Sequence, residues 1–230
     1  HYPLRRQRQM CIRDRVVSSP GPHPRDESYP LAVFLRDVLK LTKTSRETEA
    51  AVRAGSVSVD GVVRREPDFP IGLMDVVEVP SIEKIFRIVP IRSSPIAPLP
   101  ISESERYLKL CKIKSKVTVR GGRIQLGFHD GRSLIVEDSS DLRCGDVCLL
   151  EVPSQRLLKS LKTDKGSLVL VEKGAKVGLL GRILEVKPGT FNRPTMAEVA
   201  FEEVSTELPT DLLFTVGVER PLITVSRSVG

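Results

Sequence analysis

The stretch Lys109 to Val136, KLCKIKSKVTVRGGRIQLGFHDGRSLIV, constrains the fold more than any other part of this chain. From Cys111 to Val119 the odd positions are Cys111, Ile113, Ser115, Val117 and Val119, and the even ones Lys112, Lys114, Lys116 and Thr118, with Arg120 next. Successive side chains of a strand point to opposite faces, so this alternation predicts a strand with an apolar face inward and a cationic face in water. Gly121-Gly122 then stands where a two-residue hairpin needs positive φ. Beyond it Ile124, Leu126 and Phe128 are apolar, and Arg123 and Gln125 polar. Asp130-Gly131 predicts a second tight turn, followed by a third apolar run, Leu134 to Val136. The pattern predicts a small antiparallel meander. A row of lysines on its wet face repels itself, a cost that a polyanion would relieve.

The charge distribution points the same way. The net charge is +7, yet residues 105–132 alone hold eight Lys/Arg against two acids, and residues 156–193 nine against three. Between and beyond them, residues 133–155 and 194–230 each carry −4. Segregated basic blocks are the electrostatic footprint of a nucleic-acid binder, whose affinity rests on phosphate contacts. With 4% aromatic residues, no Trp, and 16 Gly and 17 Pro among 230 residues, short strands between turns are expected rather than a helix bundle. Cys11, Cys111, Cys144 and Cys148 form no CxxC pair. Cys144 and Cys148 with Cys111 and His129 could assemble a zinc site, but apolar neighbours favour buried reduced thiols, and no metal is expected. No run approaches the roughly 18 apolar residues of a membrane span, and no membrane partner is expected.

Residues 1–15, HYPLRRQRQMCIRDR, show no period and read as an extended or artefactual leader, continued to residue 29 by a Pro/Gly/Ser-rich lead-in. Residues 30–80 read as a first unit. Pro30 opens a helix with Leu31, Phe34, Leu35, Val38 and Leu39 on one face. Thr44 and Glu47 form a capping box for a second helix, in which Ala50, Ala51 and Ala54 are small packing residues and Gly55 the stop. A hairpin turning at Asp60-Gly61 and a strand Val76–Val79 follow. Ser45, Arg46, Gly55, Val57, Val59, Asp60, Gly61 and Asp75 carry a resemblance to the RNA-binding module named after bacterial ribosomal protein S-four. That resemblance implies an RNA-facing set of Arg36, Lys40, Lys43, Arg46, Arg53, Arg64 and Arg65.

Residues 81–160 read as a central β-domain: a strand Lys84–Val89, a proline-stiffened connection, the meander, and a strand Val147–Val152 after a Gly145-Asp146 turn. Residues 161–230 read as a third unit. There Gly174, Gly178 and Gly181 lie between strands Leu168–Val171 and Ile183–Val186, beside Lys173, Lys176 and Arg182. Glycines allow close backbone approach and the cations suit phosphate. The segment resembles the KOW motif of small SH3-like barrels. Short strands Ala197–Phe201, Leu212–Val218 and Leu222–Val225 are expected to close that barrel. The fold class is α+β, mostly β.

Three histidines, His1, His23 and His129, offer little for catalysis. His129-Asp130 has no second His-Asp pair, and no nucleophile, base and orienter can be assembled, so no enzyme is expected. An S-four-like module, a basic meander and a KOW unit, in that order, resemble the small-ribosomal-subunit protein S-four e-type family of archaea and eukaryotes. KLCKI, VRGGRIQL, HDGR, PLAVFLRDVLKL and FPIGLMDVVEV match its style, over roughly residues 20–220, and the chain's length fits an archaeal member. The N-terminus departs from it, since a basic leader is expected there. The resemblance implies a structural role in the cytoplasmic ribosome, with small-subunit rRNA and neighbouring small-subunit proteins as partners, no small-molecule substrate and no cofactor. In the meander it points to Lys112, Lys114, Lys116, Arg120, Arg123, His129 and Arg132, and elsewhere most strongly to Arg46, Arg53, Lys173, Lys176 and Arg182. The alternatives are a KOW-type transcription or translation factor and an RNA-modifying enzyme.

Overall fold

The computed structural model describes residues 17–92, 94–137, 141–191, 194–201 and 204–226; the leader 1–15 lies outside them. After β1 (Tyr29–Pro30), a short helix α1 (Leu31–Val33) runs directly into a π-turn over Phe34–Val38. The amides of Leu31 and Ala32, which a helix start leaves without partners, donate to the carbonyls of Phe69 and Pro67. Helix α2 (Ser45–Arg53) begins at Thr44, whose Oγ1 accepts from the Glu47 amide at 3.2 Å, while Glu47 Oε2 accepts from the Lys43 amide at 2.9 Å. Gly55, at φ +82°, follows its end. Thr48 and Val52 pack inward from α2, whereas Ala50 and Ala54 are exposed, so the expected alanine face is corrected.

Strands β2 (Ser58–Val59) and β3 (Val62–Val63) turn through Asp60-Gly61, both at positive φ, and β4 (Pro70–Ile71) pairs with β1. Then come β5 (Val76–Val79), β6 (Lys84–Ile91) and β7 (Ser94–Pro100), completing a five-stranded sheet ordered β3-β2-β5-β6-β7. The meander is β8 (Leu108–Thr118), β9 (Ile124–Phe128) and β10 (Ser133–Val136). With β11 (Val147–Glu151) and β12 (Arg156–Leu161) it forms a second sheet, ordered β10-β9-β8-β11-β12. A third sheet, β16-β15-β14-β13-β17, is built from β13 (Leu168–Val171), β14 (Leu180–Lys187), β15 (Met196–Ala200), β16 (Ser205–Pro209) and β17 (Leu213–Gly217). Every pairing is antiparallel.

Two expectations are corrected. The prolines after β6 do not prevent a strand: the Ile101 amide donates to Ile85 O, so alternate amides at 99 and 97 also face β6, and those pointing outward belong to Pro98 and Pro100. An edge strand tolerates proline there. Leu222–Val225 is no strand, yet Ile223 and Val225 are buried. They join a shared core in which Met74, Val89, Leu110, Val147, Leu170 and Phe214 meet, so all three sheets contribute to one apolar centre. Arg87, wholly buried on β6, ties the same region: it reaches Glu105 Oε2 at 2.5 Å and the carbonyls of Leu108 and Thr224 at 2.9 Å each.

Along β8 the period-two expectation fails at both ends, for different reasons. Leu110 to Ile113 are all buried, because Cys111 and Ile113 face the core of their own sheet while Leu110 and Lys112 face the third one. Then Ile113 lies opposite Phe128 but Ser115 opposite Gly127, two residues against one: Lys114 is a β-bulge. The bulge inverts the alternation. Lys116, opposite Leu126, turns toward the core side, and Val117 turns to solvent, 56% exposed.

Candidate nucleic-acid interface

Lys109, at the inward parity of β8, is buried with its Nζ 2.7 Å from Asp60, 2.6 Å from Asp75 and 3.0 Å from Asp130. Arg132 adds Nη2 to Asp60 at 2.7 Å and Nε to Asp130 at 3.4 Å; His23 donates Nε2 to Asp75, and the amides of Gly72 and Val76 donate to Asp75 and Asp60. Burial opposes charge on Lys109, but three carboxylates outweigh it and hold the ammonium well above its ordinary range. Burial likewise works against charge on Asp75 and Asp130. Lys109 and His23 nevertheless hold Asp75 below the usual carboxylate range, and Lys109 and His129 hold Asp130 at about 2. Each of the three aspartates sits in or beside a turn, so this network fastens the turn after β2, the bend before β5 and the turn after β9 to one lysine.

Several cations expected in water are therefore committed inside. Lys112 is buried: its Nζ donates to the carbonyls of Leu213 at 2.7 Å and Asp211 at 2.8 Å and pairs with Glu172 at 3.2 Å. Burial lowers its pKa, which Glu172 partly offsets. Its place on a wet face is corrected, because that face of β8 is covered by the third sheet. His129 is partly buried, with Nδ1 accepting from the Lys112 amide at 3.2 Å and Nε2 donating to Leu73 O at 3.1 Å. Burial lowers it to about 4. Lys116 is half-buried and donates to Leu142 O at 2.9 Å. His129, Asp130 and Cys111 bring possible ligand atoms within 4.8 Å of one another. Both His129 nitrogens are engaged and Lys109 holds Asp130, so the geometry serves the ion network. Cys111 and Cys148 are buried, and burial raises both thiols, Cys148 to about 12. Cys144 is exposed, contrary to the buried reading.

The glycine loop also serves packing. A Cβ on Gly178, at φ +78°, would lie 2.6 Å from Ile91 Cα, so close approach there admits the β6–β7 turn rather than phosphate. Lys173 pairs with Glu27, and Lys176 bonds Thr206 Oγ1 and lies 4.6 Å over the Phe201 ring. Gly181, on β14, lies against Val199. In the first unit Arg36 is held by Asp37 and Ser45, Arg53 lies 3.4 Å from Glu49, and Arg64 stacks 4.3 Å over Phe69. Of the cations expected to face RNA, those exposed and without an ion pair to a described carboxylate are Lys40, Lys43, Arg46, Arg65, Lys114, Arg120, Arg123 and Arg182. Arg120 and Arg123 flank a hairpin tip where a Cβ on either glycine would meet nothing within 4 Å.

Reading the residues missed the Lys109 network, Arg87 and Glu172. One signal was available: Lys109 shares parity with Cys111 and Ile113, an odd position for a solvated lysine.

Comparison with known proteins gives a consistent result. A family model described as Ribosomal family S4e matches residues 82–157. A small ribosomal subunit protein eS4 from Korarchaeum cryptofilum is 38% identical over 97% of this chain and 92% of its own length. One from Desulfurococcus amylolyticus is 34% identical over 97% and 90%. The crystal structure of the 30S ribosomal protein S4e from Thermoplasma acidophilum superposes with a TM-score of 0.73 at 31% identity, covering 84% of this chain and 97% of that one.

Proposed function

This chain belongs to Ribosomal family S4e, and on that premise we propose that it is a structural constituent of the small subunit of the cytoplasmic ribosome, holding rRNA through exposed cations and packing against neighbouring small-subunit proteins. The full-length similarity to archaeal small-subunit proteins carries this reading. It does not support the alternatives, a KOW-type transcription or translation factor and an RNA-modifying enzyme; the family is one of ribosomal structural proteins rather than enzymes.

The division into units 30–80, 81–160 and 161–230, each offering a cationic surface, belongs to the same proposal. Its strongest contacts are assigned to Lys40, Lys43 and Arg46 between the π-turn and the first turn of α2, to Lys114, Arg120 and Arg123 around the meander, and to Arg182 on β14. Their supporting feature is availability: they stand in water while Lys109, Lys112 and Arg132 neutralise buried carboxylates. Phosphate and ribose contacts, which fix position without reading sequence, are the mode such a surface supports.

The test is charge reversal of Lys114, Arg120 and Arg123 to Glu, all exposed positions. Affinity for small-subunit rRNA falls, and the slope of log K against log salt drops by about 3, roughly one per phosphate contact. Unchanged affinity and slope would remove the meander from the interface. A chain that washes off small subunits in high salt would remove the constituent role itself.

A further inference from the structure

The bulge at Lys114 creates a surface that the alternation of β8 conceals. Pairing places Ser115, Gly127 and Ser133 in one row across β8, β9 and β10, and Val117, Gln125 and Ile135 in the next. The opposite face is the core one, holding Leu126, Phe128 and Leu134. The outward rows are uncharged and carry no aromatic ring. Val117 and Ile135 are 56% and 51% exposed. Gly127 is kept flat by contact: a Cβ there would lie 2.4 Å from Ser115 Oγ. Around this face stand Lys114 at the bulge and Arg120 and Arg123 at the hairpin tip, all exposed; at its end, among the described residues, stands exposed Glu137.

We infer that this outward face of the meander is a docking surface for the minor groove of double-helical RNA. The inference rests on the rRNA-binding reading above and specifies the form of RNA. Without an aromatic platform the face has nothing on which to stack unpaired bases. A neutral centre of small side chains suits instead the wide, shallow A-form minor groove, where ribose edges and 2′-hydroxyls lie exposed. Val117 and Ile135 pack against sugars, and the Gln125 amide and the Ser115 and Ser133 hydroxyls exchange hydrogen bonds with 2′-OH groups. Arg120, Arg123 and Lys114 reach the bordering phosphates. That cationic border favours RNA over a neighbouring protein as occupant.

Full-length protein, titrated by fluorescence anisotropy at fixed salt, provides the test with three probes: a 16-base-pair RNA duplex, a DNA duplex of the same sequence and either RNA strand alone. The RNA duplex binds at least tenfold tighter than both others. V117E with I135E weakens duplex binding at least tenfold while leaving the circular dichroism melt in place. Equal binding of RNA and DNA duplexes, tighter binding of the single strand, or an unaffected V117E/I135E variant overturns the inference. Crosslinking from position 135 in purified small subunits separates the occupants: a crosslink to paired rRNA supports the inference, and one to protein overturns it. Retention of the wild-type chain on salt-washed subunits is scored in the same preparation, so a failed constituent role is distinguishable from a failed docking face.

Discussion

At the scale of single residues, burial rather than residue type decides the charge that His129 carries. Read as a cation for RNA, it is an uncharged ring wedged between the Lys112 amide and Leu73 O, edge-on to Phe214 at 5.7 Å between centroids. Burial lowers its pKa to about 4, against about 6.5 for an unfolded histidine. The depressed value fixes the sign: at pH below 6.5 the unfolded chain takes up a proton that the folded one refuses. The stabilisation is therefore complete above 6.5 and lost as pH falls toward 4. Between pH 7 and 4.5, H129Q should remove about 2 kcal/mol of the wild-type stability loss. Urea denaturation at both pH values measures it, and parallel losses in the two proteins would refute it. Lys109 carries the same lesson without a titration in that range. Asp60 and Asp130 were legible as turn residues and Asp75 through the family resemblance, but nothing in a linear sequence tells that the three converge on one point.

At the scale of elements, most of the strands were legible and their facing was not. The Asp60-Gly61 turn, β5 and β13 fall where turn chemistry and apolar runs put them. Period two also placed β8, but it cannot register a bulge: one extra residue at position 114 exchanges the faces of everything after it. Nor can it tell water from a second sheet lying over the first. The consequence is measurable. Alternation says that Lys112 is replaceable and Val117 is core; the structure says the reverse. K112Q leaves Glu172 and two carbonyls with a weakened partner in a buried place, and should cost about 3 kcal/mol. V117K, on the outward face, should stay within about 0.5 kcal/mol of wild type. Denaturant midpoints for the pair decide the matter, and a costly V117K with a neutral K112Q would restore the simple alternation. β7 and β12 were missed for related reasons. Pro98 and Pro100 in β7 occupy outward-pointing amide positions, and β12, with exposed Lys159 and Ser160, has too little apolar content to announce an edge strand.

At the scale of the whole molecule, the chain order of three units suggests beads on a string, whereas the packing makes them interdependent. Phe214 on β17 is buried in the core where Met74, Val89, Leu110 and Leu170 also end, and its ring lies against His129. Lys112 reaches from the second sheet to carbonyls of the third, Arg87 from the first to Thr224 beyond it, and Gly178 admits the β6–β7 turn. A binder of structured RNA benefits from this, because cations on different sheets then hold fixed positions and their ordering is not charged against binding. Such connections predict that the three sheets unfold together. F214A removes a large buried ring and should cost about 3–5 kcal/mol, a loss felt well beyond the third sheet. Hydrogen exchange followed by mass spectrometry on peptides covering residues 76–91, 108–118 and 168–171 reads it directly. In a single cooperative unit the slowest amides in all three peptides lose protection by the same free energy. Loss confined to 168–171, with 76–91 and 108–118 unchanged, would mean that the third sheet opens by itself and that the shared apolar centre does not bind the units together.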